Sequence, residues 1–206
     1  MTDLAEAFER LVRIRRDVRR FRPDPLPEGC LDRLLAIAHH APSVGLSQPW
    51  RFVRVGDPER RRALAEHVDA CNAEAAQAYS GERRARYERL QLHGLHDAPV
   101  VLGVYCDETT PQGRGLGAAS MPEMRRYSCV TAVHTLWLAA RAKGIGLGWV
   151  SILTPDVVDR LLDVPAGWHG LGLLCLGYPQ EAFDRPELEL RGWERRSDWR
   201  STLIER

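Results

Sequence analysis

Lysine is nearly missing from this chain: Lys143 is the single one, and the other basic residues are arginines. With 29 Lys and Arg against 28 Asp and Glu, the formal net charge is only +1. A general pull toward nucleic acid or an anionic membrane is thereby excluded, and any basic function must be local. No apolar run is long enough to span a bilayer, and the amphipathic start "MTDLAEAFERLVRIRRDVRRF" is interrupted by acids. Neither a membrane span nor a secretory signal is expected. Paired cysteines are missing too. Cys30, Cys71, Cys106, Cys129 and Cys175 are odd in number and scattered, with no C-x-x-C. A disulfide framework and a zinc site are excluded, and reduced thiols in the cytoplasm are expected, three of them as small core residues.

Nor do the 7 histidines show metal spacing; His39, His40, His93 and His96 read as surface or satisfied core residues. There is no internal repeat or low-complexity tract. "GRGLGAA", Gly113 to Ala119, matches a G-x-G-x-x-A fingerprint by letter. It lies well past its preceding strand and opens no helix, so a Rossmann site is rejected.

What is present suits a compact globule: 206 residues, of which 44% are hydrophobic, suffice for a sizeable core. Leu4, Phe8, Leu11, Val12 and Ile14 recur at helical spacing, and a second helix runs from Leu31 toward His40. "RFVRVGD", "APVVLGVYCD", "IGLGWVSI" and "HGLGLLCLGYP" read as strands. "YSCVTAVHTLWLAARAKG" reads as a central buried helix, and a short helix with Pro155 in its first turn separates the last two strands. The polar stretch 72–94 is expected as a helical excursion broken by Gly81, and 108–126 as a flexible segment. The tail 180–206 carries Trp193 and Trp199 and should wrap a neighbouring surface such as a second subunit. The class expected is α+β, one domain over 1–206 with a small mixed sheet and helices packed on it.

Three stretches could carry chemistry. "RIRRDVRRF" gathers arginines at a helix end, suited either to gripping a phosphate or to forming a solvated face. Asp17 in its midst either neutralises its neighbours or serves proton chemistry, since a carboxylate repels phosphate. "APSVGLSQPW" concentrates proline and glycine, which dictate a tight backbone path while leaving few side chains in the way. "GIGLGWVSI" places three glycines ahead of Trp149 and Ser151, as where a backbone or ligand approaches closely, or where a large neighbouring side chain must fit.

Taken in order, the arginine cluster with Asp17, "APSVGLSQPW", "MPEMRRYS", "LWLAARAKGIGLGWVSI", "LCLGYP" and "PELELRGWERR" resemble the FMN-dependent nitroreductase superfamily along almost the whole chain. Within it they are most similar to the 5,6-dimethylbenzimidazole synthases. The resemblance implies a homodimer with FMN at the subunit interface, Ser43 and Gln48 beside the isoalloxazine, and Arg15, Arg16, Arg19 and Arg196 around the phosphate. It implies catalytic roles for Asp17, where ordinary nitroreductases usually carry a small hydroxyl residue, and for Ser151. The implied activity is oxygen-dependent fragmentation of reduced FMN to 5,6-dimethylbenzimidazole, the lower ligand of vitamin B12, and erythrose 4-phosphate. FMN would then be a substrate, with NAD(P)H acting only through a separate flavin reductase. The segments 72–94 and 108–126 could cover the flavin. An NAD(P)H-dependent nitro- or quinone reductase that keeps its flavin is the rival enzyme, and a flavin-binding storage or sensor module the non-enzymatic alternative.

Overall fold

The computed structural model describes residues 3–90 and 94–206; His93 and part of the expected 72–94 excursion lie outside the described residues. Helix α1 spans Leu4–Ile14, α2 Cys30–Ala38, α3 Pro58–Ala76, α4 Gly81–Glu88 and α5 Gly94–Asp97. The long α6 covers Met124–Ala142, followed by α7, Pro155–Leu161, and α8, Glu187–Leu190. The strands are β1 Trp50–Arg54, β2 Val100–Asp107, β3 Gly146–Val150 and β4 Trp168–Gly177. Local chemistry sets several of these ends. Asp57 accepts from the amides of Glu59 and Arg60 at 2.8 and 2.9 Å, and Pro58 begins α3 just behind this cap.

The sheet corrects one expectation. Its strands lie in the order β1-β2-β4-β3 and every adjacent pair is antiparallel, where a mixed sheet was expected. Strands β2 and β3 do run in the same direction with α6 between them in sequence, but β4 inserts between the two and makes both its neighbours antiparallel. Parallel pairing survives in one bridge, from Asp17 to Leu147.

Both faces of the sheet are covered, which is why β2 and β4 are nearly continuous in apolar residues. Val101, Tyr105, Leu173 and Cys175 point into a cluster with Leu64 and Val68 of α3 and Val158 of α7. Leu102, Val104, Leu174 and Leu176 point the other way, onto Leu34 of α2 and Val133 and Leu136 of α6. This alternation is the period-two geometry of a strand buried on both sides. Four of the cysteines are buried and the fifth half-buried, and all are free thiols. By contrast, α1 buries none of its residues, and Leu4 and Phe8 stand 83% and 57% exposed.

Between α1 and α2 an extended arm lies along the outer edge of β3. The Val18 amide donates to the Leu147 carbonyl at 3.0 Å, and the Arg22 amide to the Tyr178 carbonyl at 2.8 Å. This arm carries the arginine cluster and Asp17. The glycines of β3 make room for it: a β-carbon on Gly146 would meet the Val18 side chain, and one on Gly148 the Val18 carbonyl.

Candidate functional site

Asp17 is fixed from both sides. Its Oδ1 accepts from the Trp149 backbone amide at 3.1 Å, and its Oδ2 lies 3.4 Å from Arg19 Nε. Burial pushes the carboxyl above its ordinary value; Arg19, the Trp149 amide and Arg15 pull the other way without cancelling the effect. Its side chain remains 40% open, and it lines two adjoining spaces. One is a cavity of about 250 Å³ walled by Asp17, Arg19, Trp149, Ser151, Tyr87 and Trp193 among others. The second is a cleft of about 130 Å³ lined by Arg15, Arg16, Arg19, Arg196, Glu187 and Asp17 among others.

The cleft is built for an anion. Arg16 Nη1 donates to the carbonyls of Arg13 and Arg15 at 2.6 and 2.7 Å, and Nη2 to that of Asp184. Those contacts aim the guanidinium but leave its Nε buried without a partner, and Arg19 Nη1 is likewise buried and unpartnered. Buried donors left unsatisfied are costly, so a ligand oxygen here would relieve a standing penalty. Burial and then the charges of Arg15, Arg196 and Arg141 lower Arg16 below the ordinary guanidinium value. Four guanidiniums around one small cleft can hold a phosphomonoester through charge-assisted bonds.

The structure thus brings together six of the eight residues singled out from sequence: Asp17, Ser151, Arg15, Arg16, Arg19 and Arg196. Ser43 and Gln48 line neither space. Ser43 Oγ accepts from the Gln48 amide at 3.1 Å, and Gln48 Oε1 accepts from Gln112 Nε2 at 2.8 Å. Their turn is held in an unusual shape. Gly45, Leu46 and Gln48 all have positive φ, and a β-carbon on Gly45 would come 2.8 Å from the Leu116 carbonyl oxygen. A non-glycine residue held at positive φ stores strain that the surroundings must enforce, here through tight packing on the 113–117 segment. That segment is a run of turns, with Gly113, Gly115 and Gly117 at positive φ.

Trp137, Tyr87 and Trp193 escaped the sequence reading as site residues. Trp137 lies 4.6 Å beneath the Arg15 guanidinium and donates its Nε1 hydrogen to the Arg16 carbonyl at 3.0 Å. A tryptophan on a helix whose composition reads as largely buried needs a partner for its N–H, and that was the available signal. Trp193, expected to cover a neighbouring surface, packs instead on Tyr79 and Tyr87 of its own chain, whereas Trp199 is 64% exposed.

The Nitroreductase family model matches residues 12–178. A Rhodospirillum rubrum protein named 5,6-dimethylbenzimidazole synthase is 54% identical over 191 residues, covering 93% of this chain and 90% of that protein. One of the same name from Rhodobacter capsulatus is 45% identical over 189 residues, covering 92% and 91%. Among solved structures, the FMN-dependent nitroreductase NfnB from Mycobacterium smegmatis, in complex with NADPH, matches with a TM-score of 0.68 at 25% identity, over 99% of this chain and 100% of that one. With its antiparallel sheet between two helical layers and this degree of identity, the chain belongs to the nitroreductase family.

Proposed function

We propose that this chain converts reduced FMN and O2 to 5,6-dimethylbenzimidazole and erythrose 4-phosphate, as a cytoplasmic homodimer whose residues 1–206 form one nitroreductase-like domain. The observation that carries this reading is the place of Asp17: a carboxylate raised by burial, at the junction of an arginine cleft and a cavity that also holds Ser151. A site that only gripped phosphate would not need it.

The residues fit FMN. The unpartnered donors of Arg16 and Arg19, with Arg15 and Arg196 beside them, match a phosphate end. The adjoining cavity is walled largely by apolar and aromatic groups. Reduced FMN supplies both the electrons passed to oxygen and the carbon atoms of the product. Burial raises Asp17 toward its protonated form, and with Oδ1 accepting the Trp149 amide and Oδ2 met only by Arg19 Nε at 3.4 Å, Oδ2 is the oxygen free to exchange a proton. From there it serves as acid or base. The exposed Ser151 hydroxyl lines the same cavity and can orient or relay a second proton. Tyr87, Leu90 and Trp193 add apolar wall to the cavity.

A second copy of the chain is supported by the bare apolar face of α1, by exposed Leu46 and Leu116 beside Ser43 and Gln48, and by Leu203 and Ile204 in the tail. In a dimer the turn of one subunit can border the flavin held by the other. NAD(P)H enters only through a separate flavin reductase. Mixing the protein with chemically reduced FMN in air tests the reading: loss of flavin absorbance with a new benzimidazole peak is expected. Re-oxidation with the flavin intact would return the chain to the reductases or flavin binders.

A further inference from the structure

The cavity and the cleft share one covering segment. Between Pro186 and Arg196 the tail sends Trp193 to the cavity and Leu188 and Arg196 to the cleft. Its fold is held internally, with the Trp193 amide donating to the Leu188 carbonyl at 2.8 Å and the Arg196 amide to Glu189 Oε1 at 3.0 Å. The two ends of the segment therefore move as one piece.

The same piece grips α4. Trp193 stacks edge-on against Tyr79 and Tyr87 at 5.3 and 6.0 Å between ring centres. The Arg83 guanidinium lies 5.4 Å from the Tyr79 ring and 5.5 Å from the Trp193 ring, and Arg86 Nη1 donates to the Gly192 carbonyl at 2.9 Å. Among the described residues, the cluster beneath these contacts has Ala76, Tyr87 and Leu90 as its buried members. Tyr87 is the one buried residue of α4. Such a thinly packed unit opens at low free energy compared with the sheet, and one added contact shifts its population strongly.

We infer that Trp193 is a positioning residue that couples occupancy of the arginine cleft to closure of α4 over the cavity, so that a phosphorylated flavin closes its own roof and an unphosphorylated one does not. The inference rests on the FMN reading for its substrate. The chemistry is general: an anion drawn between Arg196 and the arm arginines pins the tail segment, and Trp193 carries that restraint to Tyr79, Tyr87 and Arg83. Specificity for the phosphate then resides in turnover as well as in binding.

Limited trypsin digestion reads the roof directly, because α4 carries Arg83, Arg84 and Arg86 and is followed by Arg89. The full-length protein is digested alone, with FMN, with riboflavin at equal occupancy, and with inorganic phosphate, and α4 fragments are quantified by mass spectrometry. FMN and phosphate should slow cleavage at α4 by about tenfold and riboflavin by little. In Trp193→Ala the protection should disappear, FMN affinity should weaken by up to about the same tenfold while riboflavin affinity holds, as reciprocal coupling of binding and closure requires, and benzimidazole kcat should fall; Trp193→Phe should restore all three. Arg86→Ala, a surface change that removes the Gly192 contact, should weaken protection in the same direction. Equal protection by riboflavin, or FMN protection that survives in Trp193→Ala, overturns the coupling. Protection by phosphate without any benzimidazole from reduced FMN would keep the coupling and reject the functional reading instead.

Discussion

The carbonyl oxygen of Val18 stands 2.1 Å from the point that a β-carbon on Gly148 would occupy. Strand and arm are in contact there with no side chain between them, and Asp17 is the residue next to the contact. Gly148→Ala must push the arm outward. Overpacking of this kind costs about 1–3 kcal/mol, which lowers Tm by roughly 2–12 °C in a chain of this size. Benzimidazole yield should fall further than stability, since the Asp17 carboxylate loses its place on the Trp149 amide. Calorimetry and product assay on one preparation check both, and a variant with wild-type yield would contradict the positioning role of the arm.

Asp17→Asn keeps the acceptor toward the Trp149 amide and removes the exchangeable proton. Binding of reduced FMN and its reaction with oxygen should stay largely intact, while benzimidazole formation drops by roughly two to four decades, the usual contribution of a positioned acid or base. If Asp17 merely neutralised its arginine neighbours, its half-buried pair with Arg19 would be lost from stability and FMN affinity, while the ratio of benzimidazole formed to flavin oxidised would stay unchanged. Following flavin oxidation and benzimidazole release side by side distinguishes the two.

The same substitution has a pH signature in stability. Because burial raises Asp17 above its ordinary value of 3.8, the folded state holds the proton more tightly than the unfolded one. Wild-type stability attributable to this group is therefore lost as pH rises from near 3.8 through the raised folded value. Asp17→Asn escapes that loss. Its Tm should exceed wild type by about 1–3 °C at pH 7 and match it in acid below the ordinary value; the partly open side chain keeps the gain small. A gap that grows toward acid would show the carboxylate to be stabilising in its charged form.

Arg196→Ala tests the phosphate end with little structural cost, because the side chain is exposed and its fixed contact is through the backbone amide. A lost charge-assisted bond is worth about 1.5–3 kcal/mol, so FMN affinity should fall by about one to two decades. Riboflavin affinity should hardly change. Equal weakening of both, measured by fluorescence titration, would place Arg196 away from the phosphate.

Light scattering on the native protein should give a mass near twice the 23.3 kDa of one chain. Phe8→Glu, on the exposed face of α1, should shift it toward one chain and reduce flavin retention together. A monomer that binds FMN at full affinity would remove the second subunit from the site.

The parts of the fold legible in sequence were those set by periodicity or composition. The four strands announce themselves through runs such as "VVLGVYC", and α6 through the composition of a largely buried helix. What was hidden depended on contacts between distant segments. Nothing in "GLGWVSI" says whether its glycines face a ligand, a side chain or a backbone; the answer lies in Val18, about 130 residues earlier in the chain, read from the close approach to Gly148. The strand pairing was misread for a similar reason, since β4 enters between β2 and β3 only after both have been made. Trp193 looked like an unsatisfied apolar group because its partners, Tyr79 and Tyr87, sit in a stretch whose polar composition resembled solvent-facing helix. That Asp17 lies among the arginines was legible because charge of opposite sign within one short run is visible without knowing the fold.

The arm that carries Asp17 also ends the sheet. An outermost strand rich in glycine and aliphatic residues offers free amides to any other extended chain and is a template for aggregation. Here the Leu147 carbonyl is taken by the Val18 amide and the Trp149 amide by the Asp17 carboxylate, so the outer rim of β3 has little left to offer an intruding strand. Loosening the arm to reshape the proposed site would therefore uncover a sticky edge, and variants at position 17 should be screened for solubility as well as turnover.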